Sequence, residues 1–504
     1  MQEYLARAGI SKDQLSKGGY LIKTTLDPPD VQNSVKGAVD SLAPPPDING
    51  IASVMSVVLP GKTAHPVVAM VSNRTYGLNS AAGGETMQPQ PFSLAGDGAG
   101  GSIFKIFTTA AALDMGMGIN ANLDAPPARF EAKGGLGSGG GAKGCPRETW
   151  CVQNDGNYRG SMSVTDALAQ SPNTAFAKLI SQVGVPRAVD MAVKLGLRSY
   201  AEPGTARPYD PETNESLADF IKRQNLGSFT LGGPIQVNAL ELSNVAATLA
   251  SGGTWCPPNP IDKLYDRNGN EVSVTTETCD QVVPEGLANT LAVAMSKDDQ
   301  SGTAAGSAHS VGWDLPSSGK TGTTEAHRSS GFLGFTNRYA AAAYIYDDST
   351  TPPSDLCSWP LRQCGDGNLY GGNEPAKTWF TAMKPIARNF GGRRTAAHRP
   401  ALRRRRPPGS RVPSVSGLTV DAARTRLKES GFQVADQPPP VNSVAPYNTV
   451  VGTSPGGQTI PGSIITIQIS NGVPPAPPPP PPGAPPIPGL DGAPFGQTVV
   501  EIPG

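Results

Sequence analysis

Three runs near the middle of the chain, SSGKTGTT (317–324), GFLGFTN (331–337) and YAAAAYIY (339–346), decide the fold. They are short, mix aromatic with small residues and are parted by polar breaks, as consecutive strands are. Far upstream, IASVMSVVL (51–59) and PVVAMVS (66–72) form a β-branched pair joined by a turn that begins Pro60-Gly61-Lys62. Between these two strand regions the apolar residues follow a helical period. In SIFKIFTTAAALDMG (102–116), Ile103, Phe107, Ala110 and Ala111 share one face, and similar patterns recur at 163–170, 173–184, 186–195 and 234–251. The last stops at Gly252-Gly253. Strands open this domain, helices fill its middle and strands close it. That order predicts an α/β (α+β) fold with one antiparallel sheet, built from both ends and packed with helices.

The chain of 504 residues has room for roughly three domains. Glycine (60) and proline (51) make up about 22% of it, against a usual share of roughly 12%, which demands long loops and at least one low-complexity tract. Lys+Arg and Asp+Glu are 41 each, so no global basic field exists to hold a nucleic acid. The four histidines are scattered, and neither HExxH nor CxxC occurs, which argues against zinc chemistry; no metal or other cofactor is expected. No apolar run approaches the roughly 18 residues of a membrane span, and the opening MQEYLARAGI is not a signal peptide. Six cysteines fall in three sequence-local pairs, Cys145/Cys151, Cys256/Cys279 and Cys357/Cys364. Six allow 15 connectivities, and buried thiols remain the alternative, but local pairing inside Gly/Pro-rich loops points to short disulfide loops and an oxidising compartment.

Composition divides the chain. Residues 1–47 are mixed and polar, end in Pro44-Pro45-Pro46-Asp47 and read as a linker; 48–390 form the main domain. Residues 121–160 are a glycine-rich, cysteine-bearing insertion within it. Residues 391–411 carry eight arginines and no acid, and read as a strap for anionic wall polymer or lipid headgroups, as a solvated linker, or as the product of a reading-frame slip in GC-rich DNA. A small patterned module spans 412–472, in which Ala422, Ala423 and Leu427 fit a helix face and Ile465, Ile467 and Ile469 alternate as a strand. Bounded by tracts that do not fold, it should fold alone and move independently. Residues 473–504 are a proline-dominated, flexible tail.

Three short motifs carry chemistry. Ser102-x-x-Lys105 starts a helix, so a hydroxyl and an amine share one face a turn apart; a lysine made neutral by burial and a second cation could take the serine proton. Alone this pattern is weak, since Ser317-x-x-Lys320 matches it too. Ser171-Pro172-Asn173 is the one S-x-N of the chain, with a helix cap as the alternative reading of Asn173, and Lys320-Thr321-Gly322 is its one K-T-G, beside Thr323. A glycine on that strand lets a substrate backbone come close. Their order, S-x-x-K, S-x-N, K-T-G, is that of penicillin-interacting serine enzymes.

On these motifs the chain resembles the transpeptidase half of a class A (bifunctional) penicillin-binding protein of actinobacterial type, with one C-terminal PASTA domain. The resemblance extends to Gly18-Gly19 through Thr24-Thr25-Leu26-Asp27, to Leu231-Gly232-Gly233, Leu240-Glu241-Leu242 and Gly334-Phe335-Thr336, and to Gly371-Gly372 before Pro375. Residues 412–472 are similar to a PASTA repeat in Val412-Pro413, Val415, Gly417, Gly431-Phe432, Ser454-Pro455-Gly456, Pro461-Gly462-Ser463 and Ser470-Asn471-Gly472.

The resemblance implies a fold of the penicillin-binding/β-lactamase type and a serine D-Ala-D-Ala transpeptidase that cross-links peptidoglycan stem peptides and is acylated by β-lactams. Ser102 would be the nucleophile, Lys105 its base and Ser171 a proton relay. Asn173 would hold the donor peptide, Lys320 would supply positive charge, and Thr321, Gly322 and Thr323 would line the carboxylate end. The N–H groups of Ser102 and Thr323 would form the oxyanion hole. The expected place is the extracytoplasmic face of the membrane, with a glycosyltransferase domain and anchor outside this chain and a shallow wall-polymer contact through 412–472. A DD-carboxypeptidase, or a non-catalytic wall-binding or β-lactam-sensing protein, are the alternatives; a β-lactamase is disfavoured because nothing marks a deacylating glutamate. Two departures stand out: the arginine-rich stretch, and Ser329-Ser330-Gly331-Phe332 where the family usually has an Asp-Ala-Trp-Phe-like sequence. Gly452-Thr453-Ser454-Pro455-Gly456 fits the hydrolase G-x-S-x-G elbow, but lies in the small module with proline after the serine and is read as accidental.

Overall fold

The computed structural model describes residues 2–43, 51–74, 100–347 apart from 134–135, 137–139, 142–143, 208, 234–236, 275–277 and 325–326, then 369–389, and 410–474 apart from 436–439. Its centre is a six-stranded sheet of β1 (Ile51–Val58), β2 (His65–Ser72), β3 (Pro258–Asn259), β4 (Ser318–Thr323), β5 (Ser329–Phe335) and β6 (Ala340–Asp347). The spatial order is β3-β2-β1-β6-β5-β4, antiparallel except for the short parallel contact of β3 with β2. Thus the first hairpin and the last three strands meet at β1 and β6, with Ala340 opposite Val58 and Asp347 opposite Ile51. The motif strand β4 is left at one edge, as the strand–helix–strand order predicts.

Both faces of the sheet are covered, so its inner strands are apolar at successive positions rather than alternately. The helices are α1 (Asn33–Leu42), α2 (Lys105–Asp114), α3 (Val164–Gln170), α4 (Asn173–Val183), α5 (Val185–Leu195), α6 (Ala239–Ala250), α7 (Glu285–Ala294), α8 (Asp298–Ser301) and α9 (Glu374–Asn389). On one face, Ala340, Ala342, Tyr344 and Leu333 join a large core with Phe107, Phe176, Leu242 and Val245. On the other, Ala341, Ala343, Met55 and Phe332 pack with Val35 and Val39 of α1 and Trp379, Phe380 and Met383 of α9. The alternation along β6 sends neighbours to opposite cores, and alanine there lets the helices approach closely.

Residues 1–47, read above as a linker, belong in part to this domain. Their strand Leu21–Thr24 pairs with Ile261–Tyr265, and α1 buries Val35, Ala38 and Val39 beneath the sheet. The short helix hides its amphipathic stripe within a polar composition. The insertion forms small ribbons, Phe130–Lys133 with Thr149–Val152 and Asn122–Asp124 with Ser161–Ser163. Cys145–Cys151 and Cys256–Cys279 are disulfides, as the local pairing suggested. Cys357, Cys364, most of the arginine-rich stretch and the tail beyond residue 474 lie outside the described residues. Among the described residues no helix is long and apolar enough to cross a membrane.

The C-terminal module has its own core, in which Ala423 and Leu427 of α10 (Val420–Glu429) meet Phe432, Val450, Ile465 and Ile467. Ala422, placed above on the same face, is exposed. The expectation of independent movement does not hold in this structure. Ile460 is buried in the main domain's core, and a Cβ on Gly184, just after α4, would lie 3.0 Å from Ile464 Cδ1. These isoleucines sit outside the module's small core, so burying them against α4 removes apolar surface from water.

Trp379 is fully buried and makes edge contacts to Trp313 and Phe332 at 5.3 and 5.5 Å. Trp379→Ala should cost about 3–5 kcal/mol, read as a lowered denaturant midpoint with an unchanged slope.

Candidate active site

Ser102 lies in a 3-10 turn, Gly101–Phe104, that runs into α2. The turn is pressed against the edge strand by glycines. Gly101 has φ +52°, and a Cβ there would fall 2.6 Å from Thr323 O; a Cβ on Gly322 would fall 2.1 Å from Gly100 O. Gly232, at φ +75°, backs this turn so closely that a Cβ would be 2.3 Å from Gly101 N. The glycines of the K-T-G and Leu231-Gly232-Gly233 segments therefore bring Ser102 beside Thr323.

Lys105 and Lys320 enter from opposite walls, both fully buried, and meet at Ser171. Lys105 Nζ lies 2.7 Å from Ser171 O, 2.8 Å from Asn173 Oδ1 and 3.0 Å from Ser171 Oγ. Lys320 Nζ donates to Ser171 Oγ at 3.0 Å and to Thr321 O at 3.0 Å. Burial, with the Lys320 charge added, holds Lys105 well below the usual lysine range. Burial also lowers Lys320, to about 8, against the pull of Asp298. A neutral amine has two hydrogens and one lone pair. With its hydrogens on Ser171 O and Asn173 Oδ1, Lys105 has its lone pair for a hydroxyl, while Lys320 keeps its charge near neutral pH.

Ser171 caps the C-terminus of α3 at φ +63°, a left-handed conformation costly for a side-chain-bearing residue, held by its N–H to Ala167 O at 2.7 Å. The bend turns Ser171 Oγ between the lysines and starts α4 at Asn173. Asn173 is not the cap: Pro172 occupies that position, and the Asn173 amide bonds to Lys105 and, through Nδ2, to Gln153 O at 3.2 Å. Thr321 Oγ1 is 3.4 Å from Lys320 Nζ, and Thr323 Oγ1 accepts the Gly371 N–H at 3.0 Å.

Thus Ser102, Lys105, Ser171, Asn173, Lys320, Thr321, Gly322 and Thr323 converge from α2, the α3–α4 bend and β4. The competing Ser317 does not take part: it donates to Asp299 Oδ2 at 2.7 Å and accepts from Trp313 Nε1 at 3.2 Å. Ser454 ends a strand, Val450–Ser454, with no helix following, so the elbow motif there is accidental. At the departure after K-T-G, Phe332 packs at 5.4 Å against Phe380 behind the sheet, and the Tyr344 ring fills the space a Cβ on Gly331 would need. Sequence reasoning missed Gln153, and it quoted Gly371 as part of the resemblance without its contact to Thr323; both act through backbone atoms that no side-chain motif reveals. It also missed Asp298 and Thr303, behind β4.

Comparison with known proteins identifies the family. The penicillin binding protein transpeptidase domain matches residues 55–350, and the PASTA domain matches 410–471. The chain therefore belongs to the penicillin-binding protein transpeptidase family and carries a C-terminal PASTA domain. It is 25% identical over 392 residues to penicillin-binding protein 1A of Mycobacterium tuberculosis, covering 76% of this chain and 42% of that protein. To penicillin-binding protein 4 of Bacillus subtilis it is 26% identical over 344 residues, 67% of this chain and 46% of that one. The chain thus spans less than half the length of these relatives. The structure of the PonA1 protein from M. tuberculosis in complex with penicillin V superposes with a TM-score of 0.60 at 21% identity, covering 78% of this chain and 92% of that one. The D,D-transpeptidase domain of a peptidoglycan glycosyltransferase from Eggerthella lenta does so at 0.53 and 21% identity, covering 73% and 83%. These likenesses establish the fold.

Because Gly322 faces backbone rather than a movable side chain, Gly322→Ala should push β4 off the Ser102 turn. A stability loss of about 1–3 kcal/mol in urea titration is expected, with slower labelling by a fluorescent penicillin.

Proposed function

We propose that this chain is a serine-type D-Ala-D-Ala transpeptidase that cross-links peptidoglycan stem peptides and is acylated by β-lactams at Ser102. The observation that carries the reading is the Ser171 hydroxyl held at 3.0 Å from two buried lysines, one turn from Ser102 and against the K-T-G edge. Ser102 Oγ attacks the carbonyl of the penultimate D-alanine while Lys105 Nζ takes its proton. The developing oxyanion is held by the N–H groups of Ser102 and Thr323, and the terminal carboxylate by Lys320, Thr321 and Thr323. Ser171 passes a proton to the leaving nitrogen, so the C–N bond breaks, D-alanine departs and a Ser102 ester remains. The amine of a second stem peptide then attacks that ester, forming the new amide and returning the proton to Ser102. Asn173 holds the donor's side-chain amide, and the open edge of β4 pairs with its backbone. The 3-10 turn, the α3–α4 bend and β4 each bring one part of this apparatus. The disulfides support an extracytoplasmic location.

A fluorescent penicillin followed by intact-mass and peptide mapping should find a single adduct, on Ser102, lost in Ser102→Ala. An adduct on Ser317 or Ser454, or none on folded protein, refutes the reading. Lys105→Ala should lower the acylation rate by about 10²–10⁴-fold while the fold persists; a near-normal rate would transfer the base role to Ser171.

A further inference from the structure

Behind the edge strand lies a buried carboxylate that none of the three motifs includes. Asp298 opens the one-turn α8 and is 1% exposed. Its Oδ2 accepts the Thr321 N–H at 3.1 Å; its Oδ1 accepts the Thr303 hydroxyl at 2.8 Å and the Ala304 N–H at 3.3 Å. Thr303 Oγ1 in turn lies 2.5 Å from Thr321 Oγ1. The same segment is tied to α3, where Thr303 N donates to Ala169 O at 3.0 Å and Lys297 Nζ to Asp166 Oδ1 at 2.8 Å. Ala169 is two residues before Ser171. One strut therefore braces both the Ser171 bend and the K-T-G strand.

The hydrogens in this strut can be assigned by counting. A hydroxyl carries one hydrogen. Thr303 gives its hydrogen to Asp298, so the hydrogen between the two threonines belongs to Thr321, whose oxygen also faces Lys320 Nζ. The Thr321 hydroxyl thus points inward, toward Thr303. An arriving carboxylate needs that hydrogen. When Thr321 turns it outward, Thr303 can turn its own from Asp298 to Thr321, and Asp298 Oδ1 keeps the Ala304 N–H. Only two hydroxyl rotations are involved. Three donors and the facing Lys320 charge favour the ionised form of Asp298 against the burial that raises its pKa.

We propose that Asp298 and Thr303 are positioning residues for the carboxylate-binding end of the site, fixing the Thr321 backbone and the direction of its hydroxyl beside Lys320. The proposal rests on the transpeptidase reading above, in which Lys320 and Thr321 receive a terminal carboxylate.

The test is the second-order rate of acylation by a fluorescent penicillin, measured across a pH range centred on 8 and paired with thermal melts. Thr303→Val removes only the hydroxyl and should acylate about tenfold more slowly at an unchanged melting temperature, while Thr303→Ser should restore the rate to within about twofold. Asp298→Asn should slow acylation similarly, since either orientation of the amide sets an N–H against the Ala304 N–H or against the Thr321 N–H. It should also move the alkaline loss of activity to lower pH. Lys320 binds a carboxylate in its charged form, which is lost as pH rises through its pKa. The titratable groups facing it are Lys105 from α2 and Asp298 from α8, with Asp299 behind Asp298; removing the Asp298 charge leaves burial unopposed, so the Lys320 pKa falls further. Equal wild-type rates for Thr303→Val and Thr303→Ser overturn the proposal, as does a folded Asp298→Asn with an unmoved alkaline limb. If Asp298→Asn does not fold, the threonine pair decides. A wild-type protein that takes no adduct on Ser102 refutes the transpeptidase reading itself, which the variants by themselves would not.

Discussion

Two buried ammonium-bearing side chains directed at one hydroxyl are the constraint on which the rest of this structure depends. Neither Lys105 nor Lys320 has water to solvate it, and a pair of like charges at such close quarters is unfavourable in a medium of low polarisability. The structure resolves the conflict asymmetrically. Lys320 keeps a carboxylate behind it, whereas Lys105 faces the Phe176 ring at 5.3 Å, two oxygens and the other lysine. One amine is thereby driven towards neutrality and the other held charged near neutral pH. The same residue type is thus given two different electrostatic characters by surroundings alone.

Those surroundings explain the architecture. Lys105 must be inside the domain, so α2 is buried along almost its whole length, from Lys105 to Leu113. Ser171 must reach both lysines, so α3 ends in a left-handed residue and α4 restarts at once. The sheet beneath is covered on both faces, which keeps the floor of the site rigid while the strand that bears Lys320 remains at the edge.

Much of this was legible in the sequence, for identifiable reasons. The runs at 51–72 and 317–346 are strands because their apolar residues are consecutive and broken by turn formers, and they proved to be β1, β2 and β4–β6. The three motifs were visible because their side chains do the work. What could not be read was contact made through the backbone or through composition that looks polar. α1 seemed to belong to a linker since only Val35, Ala38 and Val39 of its ten residues turn inward. The docking of the C-terminal module was hidden because Ile460, which enters the main domain's core, and Ile464, half-buried beside Gly184, lie outside the module's own apolar pattern. Asp298 and Thr303 belong to no motif, and the Asp298-Asp299 doublet looks like any exposed acidic pair until its hydrogen bonds are traced.

The position of β4 has a further consequence. Among the described residues it pairs with a strand on one side only, β5, and a sheet edge is the kind of surface on which unrelated chains stack and aggregate. Proteins commonly blunt such edges, yet under the function proposed above a peptide is added here, so the edge cannot be wholly covered. Here the exposure is limited by other means: the strand is only six residues long, its Gly319 and Thr321 N–H groups are bonded to Met295 O and Asp298 Oδ2, and it is overhung at Gly322 and Thr323 by the Ser102 turn. Selectivity against foreign strands is thus enforced by the narrowness of the slot, and substitutions that widen it would trade solubility together with activity.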